Sequence, residues 1–407
     1  MIKIHDIIKK NQIYIILFII ILLIIIFIRT GFITYEYLAL VKNDGNDGND
    51  GNDGNDKKII VRNNCLYDQP KTLNDIINET KSNFKFNLHL PCLYDNLEFE
   101  YDEFKYDQQG IYFLIDNSDI MVSKSMLAKE IKNEYLADTE KLIPKTWIVE
   151  NNEETNKLIE QFNPDKSYIL KKNIQRQTDM KISRNLKEII NLIDTNKNNT
   201  FQYVVVQELL RNPYLIDGRK INLRVYILLV KFDDEYRIYV YGDGFMYYTA
   251  ERYKSDSDDI KSNITTGYID REVYEKNPLT LKDLKLYLDS ESRPLSEKEI
   301  KLKRYYLLSQ YLFDNIHNLI KDVFYIFRNK IGVKEKLKQN KKFQLYGIDI
   351  AVNDDLSVKL MEINKGPDLG AKDKRDSELK LNLVRDIFKT VNLIDNDSKN
   401  DFARIFY

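Results

Sequence analysis

The chain has 407 residues, enough for one membrane segment and two or three compact lobes. Its formal net charge is −1 at pH 7, so no global field recruits nucleic acid, and we predict no nucleic-acid partner. The presence of only three histidines and two cysteines argues against a zinc site.

An apolar run near the N-terminus predicts a membrane anchor. A short tail with several lysines, residues 1–12, precedes residues 13–33, which show no polar face and are followed by no small-residue cleavage site. We therefore expect a single-pass transmembrane helix over residues 13–33; a buried helix of a globular domain is the alternative. The lysine bias places residues 1–12 in the cytoplasm, but it amounts to only a few charges, so the orientation stays open.

Residues 43–56 repeat Asn-Asp-Gly and have no apolar side chain to bury, so we predict a flexible linker, with a calcium-binding repeat as the weaker alternative. Residues 57–160 are expected to form an N-terminal lobe whose first part is irregular. Within it, Cys65 and Cys92 open matching Cys-Leu-Tyr-Asp tetrapeptides. A disulfide between them and two free thiols are both open.

Regular structure is predicted from residue 110 onwards, and residues 161–395 are assigned to a catalytic domain. Helices are expected from about Lys124, over 296–330 as one long helix, and over about 377–391. Strands are expected over residues 111–115, 142–149, 168–170, 203–210, 222–231 and 236–241.

The stretch from Phe343 to Leu369 predicts a hairpin with acidic groups inside apolar runs. A tight turn at 353–355 brings Asp349 opposite residues 360–362, within one residue of register. Carboxylates are costly in a strand core unless a cation or hydrogen bonds compensate them. Asp349, Glu362 and Asn364 therefore form a candidate Mg²⁺ site, with a solvated surface hairpin as the alternative.

Several motifs resemble the ATP-grasp fold, and most closely the tubulin–tyrosine ligase family. The hairpin reads GIDI and then MEINKGPDL, and residues 212–226 read NPYLIDGRKINLRVY, the longest match to that family's pattern. The resemblance covers about residues 110–391. It implies an α+β fold with an ATP-grasp catalytic body of the tubulin–tyrosine ligase type, which we expect to follow the transmembrane helix.

The resemblance also implies ATP and Mg²⁺ as cofactors and assigns roles to single residues. Lys171, with Lys172 beside it, would contact the α and β phosphates, and Gln207 and Glu208 would lie at the adenine. Lys220 and Arg224, on one face of a strand, would contact the nucleotide and the γ-phosphate or an acceptor carboxylate.

Two departures from the family pattern concern the reacting centre. The loop at residues 173–180 lacks the glycines that normally cover the phosphates. Tyr247 stands where the family has an arginine, and Arg252, five residues further on, is the candidate substitute. Altered polar groups here are expected to change the acceptor or the rate more than the fold.

The implied activity is an ATP- and Mg²⁺-dependent ligase that joins a free amino acid to a protein carboxylate through an acyl-phosphate. An acidic protein tail, such as that of tubulin, is the expected acceptor. A lysine cluster over residues 330–342 is either a docking surface for such a tail or a solvated loop. The alternative function is a membrane-tethered nucleotide-binding pseudoenzyme or scaffold without ligase turnover.

Overall fold

The structure is a computed structural model, and it describes residues 59–63, 70–90, 107, 109–173, 180–197, 199, 202–233, 235–267, 269–331 and 341–405. Residues 1–12, 13–33 and 43–56, Cys65 and Cys92 lie outside the described residues.

Three long antiparallel strands form the centre of the larger sheet. Strand β9 (Arg219–Phe232) lies between β10 (Glu235–Thr249) and β12 (Lys341–Val352). Residues 225–231 of β9 are all buried, as expected for a strand rich in Val, Ile and Leu whose two faces are covered. This strand therefore holds its neighbours, and the side chains near its start, in fixed positions.

Shorter strands complete the larger sheet. Strand β13 forms a hairpin with β12, β8 pairs with β9, β11 and β14 pair with β10, and β1–β3 run parallel to one another with β3 next to β12. Their bounds are β1 Val61–Asn63, β2 Asn87–Leu90, β3 Gly110–Tyr112, β8 Leu215–Ile216, β11 Thr265–Thr266, β13 Val358–Lys365 and β14 Phe402–Ile405.

A second sheet has four antiparallel strands in the order β4-β7-β5-β6. Trp147, Tyr168 and Leu158 pack in its separate apolar core. The strands are β4 Thr146–Ile148, β5 Tyr168–Lys172, β6 Lys181–Ser183 and β7 Tyr203–Glu208. Each sheet thus contains strands from before and after residue 160: β1–β3 lie in the same sheet as β12, and β4 pairs with β7. The predicted domain boundary at residue 160 stays a prediction.

The described residues also form ten α-helices and three 3₁₀ turns. The helices are α1 Lys71–Thr80, α2 Lys124–Tyr135, α3 Asn152–Glu160, α4 Leu186–Asn196, α5 Ile260–Asn263, α6 Glu272–Lys276, α7 Leu281–Asp289, α8 Glu297–Lys303, α9 Leu308–Phe327 and α10 Lys374–Thr390. The 3₁₀ turns are Lys81–Asn83, Ser118–Met121 and Leu136–Lys141.

The single long helix predicted over residues 296–330 is wrong, because the structure has two helices there, α8 and α9. Ser296 fixes the start of α8 with a capping box to Glu299. The chain then leaves the helix, and Leu307 is extended where α9 begins. Residues 304–307 are all exposed, so continuing the helix through them would bury nothing.

The membrane part of the predicted fold class is also corrected. None of the helices in the described ranges is long and apolar enough to cross a bilayer. The longest, α9, carries Asp314, His317 and Lys321, and it packs one apolar face against the core. The described fold is a mixed α/β architecture compatible with an ATP-grasp body. It gives no support to the predicted single-pass membrane protein, and that prediction is withdrawn.

Candidate active site

Residues of both sheets line one cavity of about 680 Å³. Seven of the site residues predicted from the sequence lie on its wall: Lys171, Glu208, Lys220, Arg224, Asp349, Glu362 and Asn364. The β9, β12 and β13 strands deliver most of these side chains, while β5 and β7 deliver Lys171 and Glu208.

The β12–β13 hairpin brings the two carboxylates together. Asp349 pairs with Glu362 in the strand register, and a bulge follows directly after Asp349, so the predicted pairing is confirmed. On its other side Asp349 pairs with Arg224 of β9. The Asp349 carboxylate therefore lies between a guanidinium and a second carboxylate.

Arg224 holds Asp349 with two hydrogen bonds. Its Nε donates to Oδ1 at 2.6 Å and its Nη2 donates to Oδ2 at 3.0 Å. Gly347 makes room for this arrangement, since a Cβ placed there would lie 2.9 Å from Arg224 Cδ. The glycine of the GIDI motif thus serves the packing of the arginine.

The two carboxylates differ in their pKa. Burial, and then the charge of Glu362, raises the pKa of Asp349 to about 6 although Arg224 opposes the rise. Burial also acts to raise the pKa of Glu362, but Lys124, Asn364 and Lys171 outweigh it, so that pKa is lowered. Lys124 Nζ lies 3.7 Å from Glu362 Oε2, and Asn364 Nδ2 donates to Oε1 at 3.1 Å.

This arrangement fits a divalent cation. The charge of Glu362 contributes to the raised pKa of Asp349, and a cation between the two carboxylates would relieve this repulsion. In the part of the chain that the structure describes, no group of three or more His, Cys, Asp or Glu side chains is arranged to hold a metal. Asp349, Glu362 and the Asn364 amide would therefore leave several coordination positions to phosphate oxygens and water, as Mg²⁺ commonly has.

Two buried lysines face the same cavity. Lys171 Nζ donates to Gln207 Oε1 at 2.7 Å, and Gln207 Nε2 donates to Thr146 Oγ1 at 2.9 Å, so a neutral chain of groups holds the ammonium. Burial lowers the pKa of Lys171 to about 8. Burial, and then the charge of Lys171, lowers the pKa of Lys220 to about 8. An anion would stabilise both charged forms.

Three predicted residues do not line the cavity. Gln207 lies behind Lys171, and Lys172 lies on the other face of β5, with its Nζ 5.2 Å from the centre of the Tyr203 ring. Arg252 is 70% exposed and its Nη2 contacts Asp217 Oδ1 at 2.7 Å. The glycine-poor stretch 174–179 lies outside the described residues.

Tyr247 does line the cavity, with its ring 5.1 Å from the Arg224 guanidinium. Burial raises its pKa, so the phenol stays neutral and adds no cation to the wall.

Sequence reasoning missed three residues near the site. Asn222 lies on β9 between Lys220 and Arg224, where strand alternation puts it on the same face, and its Oδ1 is buried with no hydrogen-bond partner among the described residues. The alternation was a usable signal for Asn222. Lys124 and Lys372 come from distant segments, and nothing local in the sequence marks them.

The described members of the predicted lysine cluster are engaged within the fold. Lys342 is fully buried with its Nζ 3.0 Å from Asp116 Oδ2, and Lys330 contacts Glu130 at 2.5 Å. Lys341 lies over the Phe86 ring. The rest of the cluster lies outside the described residues, so no docking surface is assigned to it.

Comparison with known proteins places these residues in a wider context. The model of the "Tubulin-tyrosine ligase family" matches residues 100–400, well over half of the chain. A probable tubulin polyglutamylase TTLL9 of Bos taurus is 31% identical over 198 residues, which cover 48% of this chain and 39% of that protein.

Two proteins of Tetrahymena thermophila extend the likeness along the chain. A probable beta-tubulin polyglutamylase is 24% identical over 299 residues, covering 70% of this chain and 23% of that protein. A probable alpha-tubulin polyglutamylase Ttll1 is 26% identical over 278 residues, covering 64% of this chain and 62% of that protein. The chain therefore spans less than two-thirds of the length of each of these relatives.

Proposed function

Because the chain belongs to the tubulin-tyrosine ligase family, we propose that it is an ATP- and Mg²⁺-dependent ligase that joins an amino acid to a protein carboxylate. One observation carries the proposal: Asp349 and Glu362 converge on the same cavity as the buried ammonium groups of Lys171 and Lys220. Neighbouring carboxylates and lysines of this kind suit a metal-bound triphosphate.

The similar proteins suggest the substrates. They are named as tubulin polyglutamylases, so we propose glutamate as the added amino acid and an acidic, tubulin-like tail as the acceptor. The amino group of glutamate would become the nitrogen of the new amide bond.

The residues of the site divide the work between them. Asp349, Glu362 and Asn364 would hold Mg²⁺, which when bound supplies charge neutralisation at the phosphates. Lys171 and Lys220 would hold phosphate oxygens, and Arg224 keeps Asp349 oriented through its two hydrogen bonds. All of these groups act by position and charge, so no covalent bond to the protein is needed.

The reaction would proceed in two displacements. An oxygen of the acceptor carboxylate attacks the γ-phosphorus of ATP, and the bond to the bridging oxygen breaks to release ADP and leave an acyl-phosphate. The amine of glutamate then attacks the acyl carbon, phosphate leaves, and the nitrogen loses a proton to solvent. The buried wall of lysines favours both steps because negative charge develops on the phosphate oxygens.

The test is ligation with purified protein, Mg·ATP, glutamate and an acidic peptide, followed by mass spectrometry of the peptide and measurement of ADP. We expect a mass increase of one glutamate residue with matching ADP, and its loss in Glu362→Gln. The matched control is Glu378→Gln, an exposed carboxylate on α10. A Glu362→Gln variant as active as the control would contradict the proposal.

A second candidate function is nucleotide binding without ligation. Tyr247 favours it, because an uncharged phenol stands on the cavity wall where the resembled family has a cation. Stabilisation by Mg·ATP with no ADP release, in the presence of glutamate and the peptide, would select this function over the ligase.

A further inference from the structure

One carboxylate of the cavity has no role in the reaction proposed above. Asp368 lines the cavity and is exposed, and among the described residues no lysine or arginine forms an ion pair with it. We infer that Asp368 binds the amino group of the incoming amino acid and accepts the proton that this nitrogen loses as the amide bond forms. The inference rests on the proposed ligase function and adds a catalytic residue to it.

The backbone on both sides of Asp368 is held in place. The Gly366 N–H donates to the Leu345 carbonyl oxygen at 3.2 Å, and the Thr72 hydroxyl donates to the Leu369 carbonyl oxygen at 2.6 Å. These bonds tie the segment to β12 and to α1, so Asp368 is presented to the cavity from a fixed part of the fold.

The Asp368 side chain keeps one oxygen for a ligand. Its Oδ1 accepts from the Gly370 N–H at 2.8 Å, which orients the carboxylate. In the part of the chain that the structure describes, Oδ2 accepts no hydrogen bond. A substrate N–H can therefore donate to Oδ2 without displacing a protein group.

Asp368 lies at the edge of the proposed reacting region. It directly follows Pro367, and a Cβ on Gly347 would lie 2.9 Å from both Pro367 Cβ and Arg224 Cδ, so the proline packs beside the arginine. Arg224 in turn holds Asp349, one of the proposed metal ligands. A substrate amine at Asp368 would therefore lie close to the transferred phosphoryl group.

The Tyr247 ring supports the choice of an amino group as the ligand. Burial raises the pKa of Tyr247, and the charges of Asp349 and Asp368 add to the rise, so Asp368 lies within electrostatic reach of this ring. The neutral ring lines the same cavity. A carboxylate and an aromatic ring both attract a cation, and together they suit an ammonium group.

The nearest protein cation does not occupy the Asp368 carboxylate. Burial, and then the charge of Lys380, lowers the pKa of Lys372, while Asp376 and Asp368 oppose the fall. The Lys372 ammonium donates to the Gly267 carbonyl oxygen at 2.7 Å and forms no ion pair with Asp368. Asp368 thus acts on Lys372 from a distance and stays open to a substrate.

The other carboxylates that line the cavity within the described ranges have other roles. Asp349 and Glu362 are the proposed metal ligands, and Glu208 Oε2 lies 2.5 Å from Lys166 Nζ. An ammonium group also needs a negative partner here, because the buried lysines of the cavity repel it. Asp368 is the cavity carboxylate left to supply that partner.

Asp368 would act on the second displacement of the reaction. The amine loses one proton to solvent and attacks with an N–H donated to Asp368 Oδ2, and its electron pair forms the bond to the acyl carbon. Asp368 takes one proton from the positively charged nitrogen, the carbon–oxygen bond to phosphate breaks, and phosphate leaves. Because Asp368 is exposed, it then returns the proton to water.

The first test compares Asp368→Asn with Asp397→Asn in steady-state ligation of glutamate to the acidic peptide. Asp368→Asn removes the charge but keeps an acceptor oxygen for the Gly370 N–H. Asp397 is the matched control, since it is also exposed and lies off the cavity wall. We expect Asp368→Asn to lower kcat/KM for glutamate by roughly 100-fold, because a charged hydrogen bond and a proton acceptor are both lost.

Hydroxylamine separates this role from formation of the acyl-phosphate. It is uncharged at neutral pH, and at high concentration it traps an acyl-phosphate as a hydroxamate without an amino-acid binding site. Asp368→Asn should form hydroxamate from the peptide and Mg·ATP at the rate of Asp397→Asn. Equal losses of ligation and of hydroxamate, or ligation of glutamate at the rate of the control, would overturn the inference.

A binding measurement keeps this inference distinct from the proposed function. If the wild type neither ligates nor forms hydroxamate, the ligase proposal fails, and calorimetry with a non-hydrolysable ATP analogue and Mg²⁺ still tests Asp368. Glutarate has the two carboxylates of glutamate without its amino group. The wild type should bind glutamate roughly 10–100-fold more tightly than glutarate, and Asp368→Asn should lose that preference. A preference that the variant retains, or a wild type without one, overturns the inference.

A conservative variant guards against a structural explanation. Asp368→Glu restores a carboxylate at the same position, so it should recover part of the glutamate ligation lost in Asp368→Asn. Both variants should unfold at the thermal midpoint of Asp397→Asn, because the side chain is exposed. A lower midpoint in Asp368→Asn, with no recovery in Asp368→Glu, would assign Asp368 a structural role instead.

Discussion

Two walls of the cavity handle buried charge in different ways. The carboxylate wall consists of Asp349, Glu362 and Arg224: Asp349 is paired with Arg224, and Glu362 lies 3.7 Å from the Lys124 ammonium. The lysine wall consists of Lys171 and Lys220, where burial lowers both pKa values and no carboxylate contacts Lys220 among the described residues. The first wall is held in shape without a ligand, whereas the second carries a desolvation cost that a bound anion would offset.

Substitutions in the two walls should therefore differ in their effects on stability and on activity. Removing one partner from a paired buried charge leaves the other uncompensated, so a change in the carboxylate wall should damage both folding and activity. Lys220 is a buried cation that no carboxylate contacts among the described residues, so replacing it relieves a desolvation cost and should damage function alone.

The largest effect is expected from Asp349→Asn. It leaves the Arg224 guanidinium buried without its counter-charge, so we expect the free energy of unfolding to fall by about 3–5 kcal/mol. Ligation should fall by about 10²–10³-fold, because electrostatic stabilisation of the transferred phosphoryl group is lost. Urea unfolding and initial rates measure the two effects.

The control for that variant lies on the same hairpin. Asp354→Asn removes an exposed carboxylate that contacts Lys298 at 2.7 Å, and its cost should stay within about 1 kcal/mol. Equal losses in both variants would show that the hairpin, rather than the Asp349–Arg224 pair, is responsible.

Acid should weaken Mg²⁺-dependent nucleotide binding. The pKa of Asp349 is raised to about 6, so this carboxylate takes up a proton as the pH falls through 6. The proton then competes with Mg²⁺ for the carboxylate oxygens. We expect the Mg²⁺-dependent part of ATP affinity to fall by about tenfold per pH unit below 6. A Mg²⁺-dependent ATP affinity that stays constant from pH 7 to pH 5 would contradict the raised pKa of Asp349.

Lys220→Met tests the lysine wall. The protein without nucleotide should become more stable by about 1–3 kcal/mol, since a desolvated ammonium is replaced by an apolar side chain. Stabilisation by Mg·ATP in a thermal-shift titration should shrink at the same time. A Lys220→Met variant that is less stable than the wild type but is stabilised by Mg·ATP to the same extent would contradict the role proposed for the lysine wall.

The stability gain from Lys220→Met should depend on pH. The folded pKa of Lys220 is about 8, below the ordinary value of 10.5, so the folded state binds fewer protons than the unfolded state between these values. The destabilisation is complete below pH 8 and is relieved as the pH rises toward 10.5. The gap between variant and wild type in urea unfolding should therefore narrow from pH 7.5 to pH 9.5, and a constant gap would rule out this titration.

Sequence patterns predicted the carboxylate wall better than its surroundings. Asp349 and Glu362 are joined by one short turn, so local alternation and a hairpin register were enough to bring them together. Lys220 and Arg224 likewise share one strand. Lys124 reaches Glu362 only through the packing of α2, and no local pattern carries that contact.

The single helix predicted over residues 296–330 was wrong, and Arg252 lies off the cavity wall, because neither periodicity nor nearness in sequence was the deciding factor. The apolar spacing over residues 296–330 is helical on both sides of residues 304–307, but burial rather than periodicity decides continuity. Arg252 is five residues from Tyr247, yet β10 ends at Thr249 and the chain turns away to the exposed Asp217–Gly218 turn. The catalytic role assigned to Arg252 stays a prediction.

The smallest effect is expected from Arg252→Gln. Its ion pair with Asp217 is exposed, so the free energy of unfolding should change by less than about 1 kcal/mol. Because the side chain lies off the cavity wall, the rate of ligation should change less than about twofold. A loss as large as that of a cavity residue would restore Arg252 as the substitute cation.

The most direct test of the central claim, a divalent cation held by Asp349, Glu362 and Asn364 that anchors a nucleotide, is calorimetric titration of ATP with Mg²⁺ and with a chelator. Wild-type protein should bind ATP at least tenfold more tightly with Mg²⁺, and Glu362→Gln should lose most of that difference. ATP affinity that ignores Mg²⁺ in the wild type, or a Mg²⁺ effect that survives intact in Glu362→Gln, would contradict the account.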